Sequence, residues 1–182
     1  MDETNKVIEP KEKILWKGKP NFLAWISSTI IIAIIGLTIL TFFVSYANYS
    51  IIPKVWFYIG LAFIFILIVV YTNLSYAVTQ YVITDKRAII QSGVIGRDFK
   101  SIDYDKVQNA SVSVGPIGVI FKVGSVNMFT GEIEVVSTGQ NSSSVGSKYD
   151  TFSCIEKPYD VLKILQERTS ARKESLYGGK SK

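Results

Sequence analysis

Residues 22–46 read FLAWISSTIIIAIIGLTILTFFVSY, and residues 55–75 read VWFYIGLAFIFILIVVYTNLS. Neither run contains Asp, Glu, Lys or Arg. At a rise of about 1.5 Å per residue the first run makes a helix roughly 37 Å long, which is enough to cross a hydrocarbon core of about 30 Å. A chain of 182 residues is too small to bury two such helices in a soluble core. The sequence therefore predicts a transmembrane helical hairpin over residues 22–75.

The distribution of Lys and Arg predicts the orientation of this hairpin. The connector, residues 47–54, carries only Lys54, whereas the two flanking segments are rich in basic residues: Lys6, Lys11, Lys13, Lys17 and Lys19 before the hairpin, and Lys86, Arg87, Arg97 and Lys100 after it. Basic residues favour the cytoplasmic side. We therefore expect a multi-pass protein of the cell membrane with both termini in the cytoplasm.

Residues 1–21 form a charged N-terminal arm that is too polar for a signal peptide. The arm ends with Trp16, Lys17 and Lys19 directly before the first apolar run. A tryptophan beside lysines at this position is typical of an interfacial anchor. A tryptophan that packs on the soluble domain fits the pattern equally well, and the sequence leaves both interpretations open.

Residues 76–170 change to a pattern of short β-rich segments separated by turns. Residues 84–87, Thr-Asp-Lys-Arg, predict a tight turn between two strands, and residues 138–147, TGQNSSSVGS, predict a flexible hairpin loop. About seven short strands at close spacing predict an antiparallel β-barrel or sandwich. With the helices, the fold class is an α+β membrane protein.

A C-terminal helix follows the strands and begins at Pro158, a residue suited to the first helical position. Its apolar stripe consists of Val161, Leu162, Ile164 and Leu165. We expect this helix to cover an open end of the sheets and to end near residue 170. Residues 171–182 are polar and predict a flexible tail.

Composition excludes several kinds of chemistry. The chain has no histidine and one cysteine, Cys154, so a zinc site of the usual ligands and an intrachain disulfide are both excluded. Asp98, Asp103 and Asp105 lack the glycine-centred pattern of a calcium loop, and the glycine-rich segment 115–124 lacks the Gly-Lys-Ser/Thr ending of a phosphate loop. A net charge of +5 is too mild for a dedicated nucleic-acid binder. We expect no catalytic residues, metal, cofactor, nucleic acid or small-molecule substrate.

The order of these parts resembles the prokaryotic pleckstrin-homology-like (YdbS-like) membrane proteins. The residues that carry the resemblance are 15–20 (LWKGKP), 84–87 (TDKR), 102–114 with DKVQ at 105–108, the GPIG bend at 115–118, Val123-Gly124, and the helix KPYDVLKILQER at 157–168. Lys157 departs from the smaller polar residue expected before that helix. The resemblance implies a seven-stranded, helix-capped PH-like barrel without catalytic residues.

These features predict a membrane-anchored, non-enzymatic binding or scaffold module. The bilayer is the expected partner, together with anionic lipid headgroups or a protein, which includes a second copy of the chain. The candidate contact residues are Trp16, Lys17, Lys19, Lys86, Arg87, Arg97 and Lys100. The alternative is a subunit of an oligomeric transport or stress-response assembly, because two helices cannot enclose a path alone.

Overall fold

The computed structural model describes residues 4–46, 54–137 and 143–178. In chain order, the elements are α1 (Thr4–Val7), β1 (Ile14–Gly18), α2 (Phe22–Tyr46), α3 (Lys54–Val78), β2 (Gln80–Thr84), β3 (Arg87–Ser92), β4 (Asp98–Asp103), β5 (Asn109–Ser113), α4 (Pro116–Phe121), β6 (Val123–Ser137), β7 (Ser143–Glu156) and α5 (Pro158–Tyr177). Residues 47–53 between α2 and α3, residues 138–142 of the predicted loop and the last four residues lie outside the described part. Residues 143–147, which the sequence analysis placed in that loop, belong to β7.

The two uncharged runs form a pair of long helices, α2 and α3, that pack against each other. Each contains a 21-residue segment, Phe22–Phe42 and Tyr58–Val78, that is long and apolar enough to cross a membrane. Near the sheets the two helices are joined by an edge-to-face contact between Phe22 and Tyr76, with ring centroids 5.0 Å apart. The second helix runs to Val78 and not to residue 75, so residues 76–78 extend the helix before strand β2 begins.

The strands form two separate antiparallel sheets in the order β1-β2-β3-β4 and β5-β6-β7. The prediction of a closed barrel is therefore wrong, and that of two packed sheets describes the fold. The barrel stays open because the chain leaves β4 through the turn at residues 104–108, and no ladder joins β4 to β5. Side chains fill the space between the sheets, among them the fully buried Tyr104, Met128 and Phe152.

Strand β1 comes from the segment that the sequence analysis set apart as an N-terminal arm. Residues 14–18 pair with β2, with Gly18 opposite Tyr81 and Ile14 opposite Thr84. The arm is thus the edge of the first sheet, and the helix pair is an insertion between two adjacent strands. The prediction that residues 1–21 lie outside the domain is therefore corrected for β1. The sequence did not indicate this strand because its pairing partner lies more than 60 residues away along the chain.

Antiparallel order fixes which connections lie at which end of the sheets. The connection from β1 to β2 contains α2 and α3. The connections from β3 to β4 (residues 93–97) and from β5 to β6 (residues 114–122) lie at this same end, which we call the helix-proximal end. The turn from β2 to β3 (Asp85 and Lys86) and that from β4 to β5 lie at the opposite, helix-distal end.

Helix α5 covers one side of the sheets and buries Val161 and Leu165 against the core. Its N-cap residue, Lys157, has a left-handed backbone (φ 49°) and makes no side-chain capping hydrogen bond. The helix continues to Tyr177, so the expected flexible tail is helical over residues 171–177. The apolar stripe ends earlier, but Ala, Arg, Lys, Glu and Leu residues favour continuation of the helix.

The glycine-rich segment 115–124 folds into the short helix α4 and a bend into β6. A Cβ atom on Gly118 would lie 2.5 Å from the carbonyl oxygen of Val123. A Cβ atom on Gly124 would lie 2.8 Å from Cγ of Pro158. The glycines thus permit close packing of the backbone, and α4 lies beside α2.

Candidate lipid- or partner-binding surface

A cleft of about 490 Å³ opens at the helix-proximal end, between the end of β1 and the start of α5. Its walls are apolar at Trp16 and Ile164 and charged at Lys19, Lys157 and Asp160. The cleft lies beside the residues through which the chain passes into α2. Its lining is mixed, apolar and charged, and so suits an amphipathic ligand.

Asn21 fixes the position of this cleft relative to helix α2. Its side-chain oxygen accepts a hydrogen bond from the backbone amide of Ala24 (3.2 Å), and this bond caps the helix. The backbone amide of Asn21 donates to the carbonyl of Cys154 (2.6 Å). Its side-chain amide also donates to Glu156 (3.1 Å). One residue therefore joins the start of α2 to the second sheet.

Basic residues collect at the helix-proximal end. Lys19 and Lys157 are exposed at the cleft, and Lys122 ends α4 with a left-handed backbone (φ 55°). Arg97 is exposed in the connection from β3 to β4. Lys17 also lines the cleft, with its ammonium group 3.1 Å from the hydroxyl of Thr4. The candidate contact residues chosen from the sequence do not include Lys122 and Lys157, although Lys157 stood out as an unusual residue before a helix.

Trp16 belongs to the sheet and the core. Its ring stacks on Phe152 with centroids 6.0 Å apart, and Phe152 stacks in turn on Tyr81 at 4.8 Å. The Tyr81 hydroxyl accepts a hydrogen bond from the Ser153 amide (3.1 Å). Of the two interpretations that the sequence left open, the structure shows packing on the domain, with one edge of Trp16 left to line the cleft.

Lys86 and Arg87 lie at the helix-distal end, one strand length away from the cleft. Lys86 forms a salt bridge with Glu9 (2.6 Å). Arg87 donates hydrogen bonds from Nε (3.1 Å) and Nη2 (3.0 Å) to the buried carboxylate of Glu12. Burial alone would raise the pKa of Glu12, but hydrogen bonds from Arg87 and Thr84 outweigh it and lower the pKa to about 2. These two basic residues hold the segment before β1 onto the first sheet.

Lys100 is engaged in ion pairs between the two sheets. Its ammonium group lies 2.6 Å from the buried Asp150 and 3.5 Å from Glu132. The hydrogen bond to Asp150 raises the pKa of Lys100. Of the seven candidate contact residues, the structure brings Trp16, Lys17 and Lys19 together at the cleft. Arg97 lies at the same end, and Lys86, Arg87 and Lys100 lie elsewhere.

A second cavity of about 410 Å³ lies where the helix pair meets the second sheet, and hydroxyl groups such as those of Ser28, Thr72 and Ser125 line it. Cys154 also borders this cavity, and burial raises the pKa of its thiol. Among the described residues, no group of three or more Cys, Asp or Glu side chains is placed to hold a metal ion.

Comparison with known proteins gives one family. The family model described as the bacterial PH domain matches residues 21–169. No curated protein matches the chain. Among solved structures, the chain is similar to a DUF1696 family protein with a pleckstrin-homology domain from Shewanella loihica, at 21% identity over 51% of this chain and 68% of that one. The TM-score of this superposition is 0.28.

Proposed function

The chain belongs to the bacterial PH domain family, and from that premise we propose that it is a non-enzymatic binding module held at the cytoplasmic face of the cell membrane. In this proposal α2 and α3 cross the bilayer, and the two sheets present the helix-proximal cleft to anionic lipid headgroups. The observation that carries the proposal is the position of the cleft, with Lys19 and Lys157 on its walls, beside the start of an uncharged helix.

The surface of the helix pair supports the membrane placement. Only 6% of the most apolar stretch of each helix is buried within the chain, so the pair differs from the core helices of a soluble protein. Large side chains such as Ile32, Phe42 and Trp56 are exposed. Soluble proteins rarely expose contiguous apolar patches larger than a few hundred Å², and lipid tails would cover this one.

The basic residues on both sides of the hairpin support cytoplasmic termini. A reporter fused after Lys182 that is active only in the cytoplasm tests this orientation. Activity of a reporter that works only outside the cell would contradict the orientation and leave the membrane placement intact.

Binding of anionic headgroups can be measured on the full chain in detergent micelles. Native mass spectrometry with added phosphatidylglycerol or phosphatidylcholine reports which lipid the chain retains. The double variant Lys19→Ala/Lys157→Ala should lose its preference for phosphatidylglycerol. If each lysine contributes about 1 kcal/mol, the loss is about thirtyfold.

The matched control removes two exposed lysines from the helix-distal end, Lys13→Ala/Lys106→Ala. This variant makes the same change in net charge and should retain the wild-type preference. Equal retention of the two lipids by the wild-type chain would remove the headgroup proposal and leave a protein as the partner. Equal effects of the two double variants would show that net charge, and not the cleft, selects the lipid.

A further inference from the structure

Two apolar tips project from the helix-proximal end. The first is Ile95, which is 102% exposed in the connection from β3 to β4. The second is the outer face of α4, where Val119 is 69% and Ile120 is 74% exposed. We call these two features the apolar tips. Turn residues at a protein surface are usually small or polar, so β-branched aliphatic side chains at such positions indicate a partner surface.

The backbone holds each tip in a defined position. Gly93 has a φ of +98°, and a Cβ atom there would lie 2.4 Å from the carbonyl oxygen of Gly96, so the turn that carries Ile95 is tight. On α4 the opposite face packs inward, with Gly118 buried against the start of β6. The apolar side chains are therefore presented outward by rigid local structure.

Both tips follow or belong to elements that contact the helix pair. Strand β3, which leads to Ile95, contacts α3, and α4 contacts α2. Helix α4 therefore lies against the apolar helix α2 while Val119 and Ile120 remain exposed. Because the tips and the helix pair share one end of the domain, a surface that covers the helices also reaches the tips.

A basic residue follows each tip at the same spacing. Arg97 comes two residues after Ile95, and Lys122 comes two residues after Ile120. Both basic residues are exposed. An apolar tip with an adjacent cation matches the boundary of a bilayer, where acyl chains lie below phosphate groups.

From these observations we infer that Ile95 and the Val119–Ile120 face of α4 insert into the lipid interface around the helix pair. The domain then rests on the bilayer at three points, which are the helix pair and the two apolar tips. This inference rests on the proposed membrane placement of α2 and α3, and its occupant is lipid, not a protein surface.

The test uses the full chain in vesicles of phosphatidylcholine and phosphatidylglycerol. In a Cys154→Ser background, which has no other cysteine, single cysteines replace Ile95, Ile120, Asp105 or Ile32. Asp105 is exposed near the helix-distal end and is the control for a position in water, and Ile32 is the control for a position within α2.

A charged maleimide should react about tenfold more slowly with thiols at 95 and 120 than at 105, because interfacial side chains lie roughly 5–10 Å inside the headgroup boundary. A fluorophore on the same thiols should be quenched by lipids brominated near the headgroup, and one at position 32 by lipids brominated deep in the chain.

Behaviour of positions 95 and 120 like that of 105, with position 32 still quenched, would overturn the inference while membrane placement stands. An unquenched fluorophore at position 32 would instead contradict the proposed function itself. Slow reaction at 95 and 120 without quenching by any brominated lipid would show that protein covers the tips, and this also overturns the inference.

Discussion

Replacement of Glu12 by Gln tests the interaction that holds the segment before β1 onto the sheet. The Glu12 side chain is fully buried and accepts hydrogen bonds from the hydroxyl of Thr84 (2.6 Å), the guanidinium of Arg87 and the backbone amide of Glu9 (3.1 Å). A glutamine has nearly the same shape but lacks the charge, and its amide group would face the Arg87 donors.

The expected magnitude follows from the pKa of Glu12. It is about 2 in the folded chain, against an ordinary value of 4.5. Since a difference of one in pKa corresponds to about 1.4 kcal/mol, the ionised side chain stabilises the folded state by about 3 kcal/mol. Because the folded pKa is lowered, this contribution is complete above pH 4.5 and is lost as the pH falls toward 2.

Trp16 provides the assay, since it stacks on Phe152 in the core. In a Trp25→Phe/Trp56→Phe background it is the only tryptophan. Urea unfolding of the full chain in non-ionic detergent, followed by tryptophan emission, gives the free energy of unfolding at each pH. The Glu12→Gln chain should be about 3 kcal/mol less stable at pH 7, and less than about half of this difference should remain at pH 3.

The matched control is Glu9→Gln in the same segment. The Glu9 carboxylate pairs with Lys86 while both side chains are about half exposed, so its loss should cost much less than the loss of Glu12. A difference between wild type and Glu12→Gln that stays constant from pH 7 to pH 2.5 would refute the assignment of the lowered pKa to Glu12. Equal losses in the free energy of unfolding for the two variants would refute the reasoning that the buried Glu12 contributes more than the half-exposed Glu9.

Three further predictions concern the domain. Tyr104→Phe removes a buried hydroxyl that donates to a carbonyl at the β2–β3 turn (2.6 Å) and should cost about 1–2 kcal/mol in the same unfolding assay. Gly118→Ala places a methyl group against backbone and should cost about 1–3 kcal/mol, whereas Gly115→Ala, which meets no atom within 4 Å, should cost far less. Replacement of residues 19–79 by a two-residue turn should give a folded, soluble domain by circular dichroism and gel filtration. A chain that starts at Ser75 lacks β1 and should not fold.

Local patterns in the sequence were sufficient for the two long apolar helices and for the start of α5, whereas β1 was not among the predicted strands. The absence of charge over residues 22–46 predicted α2, since this property depends only on neighbouring residues. The Pro158 start and the apolar stripe of α5 are local signals as well. The sequence indicated the tight turn at 84–87 because Asp and Lys suit the two positions between strands β2 and β3.

Contacts between distant segments could not be predicted in this way. Strand β1 pairs with a strand on the far side of the helix pair, and no local pattern in residues 14–18 shows that pairing. Arg87 finds Glu12 at a separation of 75 residues, so a basic residue that suggested a lipid contact proves to be an internal ion-pair partner. Charge patterns give the presence of a cation but not its neighbour in space.

The apolar tips were missed for a related reason. Ile95 lies in the segment GVIGR, where the sequence suggests a turn, and a single isoleucine gives no periodic signal. Its significance depends on its full exposure and on its position at the helix-proximal end, both of which require the fold. The segment that forms α4 is described from the sequence only as a glycine-rich bend, and its contact with α2 could not be foreseen.

The position of the helix pair in the strand order limits how the domain can move. The two helices leave from adjacent paired strands, only Thr79 separates α3 from β2, and Asn21 bonds α2 to β7. A domain on a long linker would meet headgroups by diffusion, whereas in the proposed membrane placement this arrangement holds the cleft within the lipid interface. The occupancy of a binding site that is tethered near its ligand depends on the effective concentration of that ligand. A site whose affinity for headgroups is too weak to recruit a soluble protein can therefore still be occupied here. Selection among lipids, and not recruitment to the membrane, is therefore the property that the lysines of the cleft should control.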